Sequence, residues 1–191
     1  MEKGMGQKYR LEEYQSDQFH REVKHEFHQG RIIAMTGGSL NHGIIIGNIQ
    51  YELRQGLAQN KKDCQALGSE GRVHVAREAA VLYPDAMVVG GPLERSPEDT
   101  DALINPILLV EVLSKSTEAY DRGDKFYKYR QLASFQEYLL IDSEKMLLES
   151  FYRQDTQNWE IARATPPDER LFLKSLGFDL ELARIYQNVS F

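Results

Sequence analysis

One carboxylate sits where a chain of this kind can least easily hold it. Glu111 stands inside Pro106-Ile-Leu-Leu-Val-Glu-Val-Leu, a run that is otherwise apolar and β-prone. Such runs are typical of strands covered on both faces. Glu is almost never fully buried unless paired. Isolated there, it would be strongly destabilising or would take up a proton. The fold must therefore bring Glu111 a metal, a basic partner or an opening to water; otherwise it lies on a solvated face or beside a structural arginine.

Asp85 repeats the anomaly in Val81-Leu-Tyr-Pro-Asp-Ala-Met-Val-Val. Pro84 removes a ladder donor, so the strand is irregular or at an edge there, and Asp85 is either a turn residue or a functional acid. Two carboxylates on adjacent strands suit a hard cation such as Mg²⁺, which takes oxygen ligands and keeps several waters. A helix expected over 117–132 places Asp121, Lys125 and Lys128 at spacings of four and three on one face. Asp121 and Lys125 make either a surface ion pair, worth little, or a device that carries Lys125 back to the carboxylates to position water. Glu26, just before the Gln29-Gly30 turn, either points into the same cleft or is a solvated hairpin charge.

Around these residues the pattern gives a coarse order. Residues 1–8 read as a loose tail and Leu11–Gln18 as a short helix. Residues 23–36 read as a hairpin. Ser39 caps a helix over 40–60, where Ile45, Ile49 and Leu53 recur at spacing four. Strands are expected over 64–75 and 80–90, joined by a charged turn at Arg77-Glu78, with a polar loop over 91–105. After the strand at 107–113 and the 117–132 helix come a strand at Glu137–Asp142, a hairpin from Met146–Arg153 to Trp159–Ala164, and a short helix at Leu180–Tyr186. From residue 40 the order is α, β, β, β, α, β, as in an α/β or α+β domain with a mixed sheet. At 191 residues, one domain is expected.

Composition narrows the function classes. With 23 Lys plus Arg against 29 Asp plus Glu, net charge −6, a protein that coats nucleic acid or membrane with a basic surface is disfavoured. A single cysteine, Cys64, excludes an internal disulfide and a multi-thiolate zinc site. The spacings of His20, His25 and His28, on a strand and turn, do not favour zinc either. No apolar run reaches the ~18 residues of a membrane span. The polar N-terminus has no signal-peptide core, so a soluble cytoplasmic protein is expected. Walker loops, nucleophile elbows and dinucleotide fingerprints are absent from the sequence.

Seven stretches, taken in order, resemble the Uma2 family of endonucleases, also called DUF820, within the PD-(D/E)XK superfamily. They are Tyr9-Arg-Leu-Glu-Glu-Tyr, His25-Glu-Phe-His-Gln-Gly-Arg-Ile, Asn41-His42, Tyr83-Pro-Asp-Ala, Val110-Glu-Val-Leu-Ser-Lys-Ser-Thr, Asp121-Arg-Gly-Asp-Lys-Phe-Tyr-Lys-Tyr and Glu137-Tyr-Leu-Leu-Ile-Asp. The resemblance implies a restriction-endonuclease-like αβββαβ core over 9–191, with a mixed central sheet, an N-terminal hairpin and extra C-terminal strands. It implies Asp85 and Glu111 as catalytic metal ligands, joined by the Val112 carbonyl, with Mg²⁺ or Mn²⁺ as cofactor. Where the superfamily carries a lysine two residues after the acid, this chain has Leu113. The resemblance moves the lysine to Lys125, ahead of Lys115 in the Ser/Thr-rich turn. Glu26 matches an early acid that contacts the metal directly or through water. His42 matches a histidine that faces a phosphate or caps the helix.

The implied reaction is metal-dependent hydrolysis of a phosphodiester in nucleic acid, DNA being the first expectation. Substrate contacts would come from His42, Lys128, Arg122 and Lys115. A basic rim of His20, Arg21, Lys24, His25, His28 and Arg31, with Arg122, Lys125, Lys128 and Arg130, would surround the acidic centre. A homodimer fits a reaction that cuts two strands. The rival readings are an inactive or weakly active interaction module on the same fold, and a hydrolase of small phosphorylated molecules.

Overall fold

In the computed structural model, residues 8–16, 23–35 and 37–191 are described. Residues 1–7, most of the expected tail, lie outside them, as do Asp17 and Gln18 of the first expected helix and His20, Arg21 and Glu22.

Tyr14 ends the short helix α1 (Leu11–Tyr14) and is fully buried against Phe27. The Gln29-Gly30 turn has both residues in the left-handed region, with φ of 49° and 90°, which lets β1 (His25–His28) return tightly as β2 (Arg31–Ala34). Helix α2 (Leu40–Gln59) starts at Ser39, whose hydroxyl accepts the His42 N–H at 3.2 Å. Its Ile45, Ile49, Leu53 and Leu57 are buried, so one stripe faces the core.

The expected strands at 64–75 and 80–90 each divide in two. Ser69-Glu70-Gly71 separates β3 (Cys64–Gly68) from β4 (Arg72–Val75), and Tyr83-Pro84-Asp85 separates β5 (Ala80–Leu82) from β6 (Ala86–Gly90). The polar loop at 91–105 contributes a two-residue strand, β7 (Ala102–Leu103), and β8 (Pro106–Leu113) is the apolar run that holds Glu111. The second expected helix is α3 (Glu118–Tyr120), a π-helical turn (Asp121–Lys125) and α4 (Phe126–Tyr129). The remaining elements are β9 (Glu137–Asp142), β10 (Leu148–Arg153), β11 (Trp159–Ala164), β12 (Arg170–Leu173), β13 (Phe178–Glu181) and α5 (Leu182–Ile185).

The larger sheet runs β11-β10-β9-β8-β6-β3; β8 and β9 are parallel, the other neighbours antiparallel. The smaller sheet runs β2-β1-β5-β4-β7, and β12 pairs with β13 alone. Through α2, β3, β6, β8, α3–α4 and β9, the chain realises the expected αβββαβ order with a mixed sheet. Each face of the large sheet is covered. Val110, Val112 and Ile141 pack with the α2 stripe and the C-terminal segment. Leu109, Leu113 and Leu140 pack with Tyr129 of α4 and with Val73, Val75 and Leu82 of the smaller sheet. Glu111 lies between Leu109 and Leu113 on the same face of β8 and so faces this second core.

Candidate active site

Pro84 is where the two sheets part. Ala86 pairs with Val110, and the Asp85 N–H donates to the Val110 carbonyl at 3.0 Å, which sets Asp85 beside Glu111. Beyond that point, among the described residues, no strand pairs with β8 on its β6 side, and the Asp85 carboxylate takes the Val112 N–H at 2.7 Å. His42, one turn into α2, brings Nε2 to 3.5 Å from Asp85 Oδ2. Burial opposes charge on its ring, but Asp85 and the main chain at Val112 outweigh it and raise its pKa.

From the other side the π turn delivers Lys125, which is 4% exposed. Its ammonium meets Glu111 Oε1 at 2.9 Å and donates to the Tyr83 carbonyl at 3.0 Å; Glu26 Oε1 at 3.3 Å and Asp121 Oδ1 at 3.8 Å complete its ion pairs. Burial works against the ammonium, but Glu111, Glu26 and Asp121 outweigh it and hold the pKa well above the lysine norm. Lys125 therefore stays charged and does not serve as a base.

The acids around it are held unequally. Glu26 is saturated: the Tyr83 N–H at 3.1 Å and Lys125 meet Oε1, while His28 Nε2 at 3.0 Å and the Tyr120 hydroxyl at 2.9 Å meet Oε2. Burial pulls its pKa up, but Lys125, His28 and the Tyr83 amide bring it down to about 2. Glu111 takes the Tyr129 hydroxyl at 3.0 Å and Lys125, yet full burial, with Asp121 and Asp85 nearby, raises its pKa despite the ammonium. Asp121 is raised for the same reasons, burial first. Three carboxylates thus share one fixed ammonium, and burial weighs most on Glu111 and Asp121.

Those two acids, with Asp85 and the main chain at Val112 alongside, form a donor set suited to a hard divalent cation, which uses few carboxylates and keeps waters. Among the described residues no three His, Cys, Asp or Glu side chains already form a metal cluster. Glu26, expected as a ligand, has every oxygen contact committed and is placed to anchor Lys125.

Two expected substrate contacts lie elsewhere. The Lys115 side chain is 85% exposed and pairs with Glu144 at 3.1 Å. Arg122 is held by Glu118 at 2.8 Å and by buried Glu149. The expected basic rim is largely committed as well. Lys24 pairs with Glu70 at 2.6 Å and Arg130 stacks on Phe126 and Trp159. Conversely, Tyr120 and Tyr129 belong to the cluster and were not expected there, while Asp121, expected on the Lys125 face, and His28, expected in the rim, sit inside it. The spacing of Asp121, Lys125 and Tyr129, four and four, carried a signal for two of them.

Comparison with known proteins agrees with this architecture. The Synechocystis protein slr1290 is 34% identical over 180 residues, 94% of this chain and 92% of that protein. A second Synechocystis protein, sll1609, is 33% identical over 136 residues, covering 71% and 76% of the two chains. A crystal structure from Anabaena variabilis, described as a "putative nuclease belonging to DUF820", superposes with a TM-score of 0.72 at 17% identity, covering 93% of this chain and 97% of that one. The Uma2 family model, described as "Putative restriction endonuclease", matches residues 10–184, and the chain belongs to that family.

Proposed function

We propose that this chain is an endonuclease that hydrolyses phosphodiester bonds in nucleic acid with Mg²⁺ or Mn²⁺. The observation that carries the reading is the contact of Lys125 with Glu111 at 2.9 Å. Position 113 holds a buried leucine, and the helix supplies the cation that the strand lacks. A scaffold with no chemistry to do could fill both positions with apolar residues, so a charged pair kept at this cleft favours a working site.

Asp85, Glu111 and the Val112 carbonyl would hold the cation. When bound, such a cation offsets phosphoryl charge and makes water a better nucleophile near neutral pH. Glu111 is steadied by Tyr129 and Lys125, so its carboxylate keeps one orientation. Lys125 supplies a fixed positive charge where charge develops on the phosphoryl group. His42 reaches the same cleft from the start of α2, placed to touch a phosphate oxygen or to steady Asp85.

The test is calorimetric titration of Mg²⁺ and Mn²⁺ with nicking of supercoiled plasmid in parallel. Wild type should bind and nick. Asp85→Asn with Glu111→Gln should lose both, and Lys125→Met should lose nicking by about 10²–10³-fold, the scale of one transition-state donor. No binding at millimolar metal and no nicking above the double variant would refute the reading.

A further inference from the structure

Tyr120 divides the buried acid cluster from an open groove. On one side of its ring lies Lys125, 5.9 Å from the centroid; Lys128 lies at 5.5 Å. Lys125 is fully engaged by carboxylates. Lys128 is 9% exposed, yet among the described residues it has no carboxylate within 4.0 Å and no hydrogen-bond acceptor. The residue is mostly covered, and its ammonium opens on the groove without a protein counter-ion among the described residues, free to take an anion from solvent.

The groove that Lys128 lines has a volume of about 570 Å³ and is shared with His28, Arg31, Tyr120 and Tyr127. Arg31 is exposed and, among the described residues, makes no ion pair. Tyr127 is 56% exposed, an aromatic face left to solvent beside the lysine. Glu78 and Asp124 also line the groove, so its charge is mixed and its cationic centre is Lys128. A site of this size falls in the range of about 300–1,000 Å³ typical of small-ligand pockets. It accommodates a nucleotide or two, not the face of a duplex. A cation for phosphate next to an exposed ring for a base is the usual chemistry of single-strand binding.

We infer that this groove binds a single-stranded segment of nucleic acid, with a backbone phosphate on Lys128 and a base stacked on Tyr127. The inference rests on the nuclease reading and deepens it, because the groove adjoins the acid cluster through His28 and Tyr120, both bonded to Glu26. It makes the preferred substrate one with an unpaired strand next to the cut, such as a flap, a gap or an end.

The test is fluorescence anisotropy of the full chain with labelled ten-nucleotide oligo-dT and with a labelled duplex, in EDTA so that no cleavage intervenes. Oligo-dT should bind more tightly than the duplex. Lys128→Met, which keeps the apolar stem, should weaken it about tenfold and lower the salt slope by about one. Tyr127→Ala should weaken it about tenfold with the slope unchanged, and Tyr127→Phe should restore binding. Oligo-dT affinity indifferent to both sites would overturn the inference, as would equal binding of duplex. Full competition by inorganic phosphate, with no effect of Tyr127→Ala, would reduce the groove to a small-anion site and overturn it too. Nicking by wild type alongside such indifference would sink the groove and leave the nuclease standing. Groove-dependent binding by a chain that never nicks would do the reverse.

Discussion

Replacing Lys125 with methionine perturbs the centre of the molecule with little change in volume. At an effective dielectric of about 20, unit charges 4 Å apart attract by roughly 4 kcal/mol. Lys125 has three carboxylates within that reach, at 2.9, 3.3 and 3.8 Å. Their gross attraction is on the order of 12 kcal/mol, but taking the ammonium and the acids out of water offsets most of it. Removing one partner of a buried pair costs about 3–5 kcal/mol, because the acids stay behind uncompensated. With a urea m-value of about 2 kcal/mol/M, the midpoint should fall by roughly 2 M. The assay is urea unfolding followed by circular dichroism at pH 7 without divalent metal. Glu111→Gln should recover part of the loss, since it removes the acid that burial disfavours most. The cycle of Lys125→Met and Glu111→Gln should show coupling of about 2 kcal/mol. A loss below about 1 kcal/mol, or coupling near zero, would show that the ammonium does not rest on Glu111 and would refute the reasoning.

Other expectations follow from single contacts. Glu26 has its pKa held down at about 2 against an ordinary 4.5, so its carboxylate stabilises the fold above pH 4.5, and that contribution, about 3 kcal/mol, disappears as pH falls through 2. Wild type should lose stability between pH 5 and 2 more steeply than Glu26→Gln, as measured by urea midpoints across that range. An alanine Cβ at position 38 would collide with the His42 ring, so Gly38→Ala should push the imidazole off Asp85 and lower its raised pKa toward the ordinary value, seen by NMR titration of the histidine. Ser39→Ala removes the cap on α2 and should cost about 1 kcal/mol, a drop of roughly 2–4 °C in Tm by thermal melting. Glu137 is fully buried and accepts from Ser150 at 2.5 Å, the Ser175 amide at 2.9 Å and the Ser175 hydroxyl at 2.7 Å; Glu137→Leu strands those donors and should cost at least about 3 kcal/mol in urea unfolding.

Residues whose pattern was local were legible in advance. Glu111 betrayed itself by being a charge inside an apolar run, and α2 by its isoleucines at spacing four. Lys125 could be placed on a face because a helix repeats every three to four residues. What depended on distant partners was hidden. The passage from β5 to β6 reads as one continuous strand, because both halves are apolar; only the two sheets, pairing with different neighbours, reveal the break at Pro84. The hairpin of β12 and β13 is not legible in the sequence, since its strands are four residues each and bury alternate side chains in the core shared with α2 and the large sheet. Arg122 looked available from sequence, and Glu149, twenty-seven positions away, takes it. Glu26 looked like a ligand because three of its four partners, Tyr83, Tyr120 and Lys125, come from two other segments of the chain.

The most direct measurement is nicking of supercoiled plasmid by purified protein in Mn²⁺ or Mg²⁺, with Asp85→Asn and Glu111→Gln prepared identically. Nicking that requires the metal, is lost in both variants and falls steeply in Lys125→Met is the expected result. Equal activity in wild type and either acid variant, or none in wild type at millimolar metal, would contradict it.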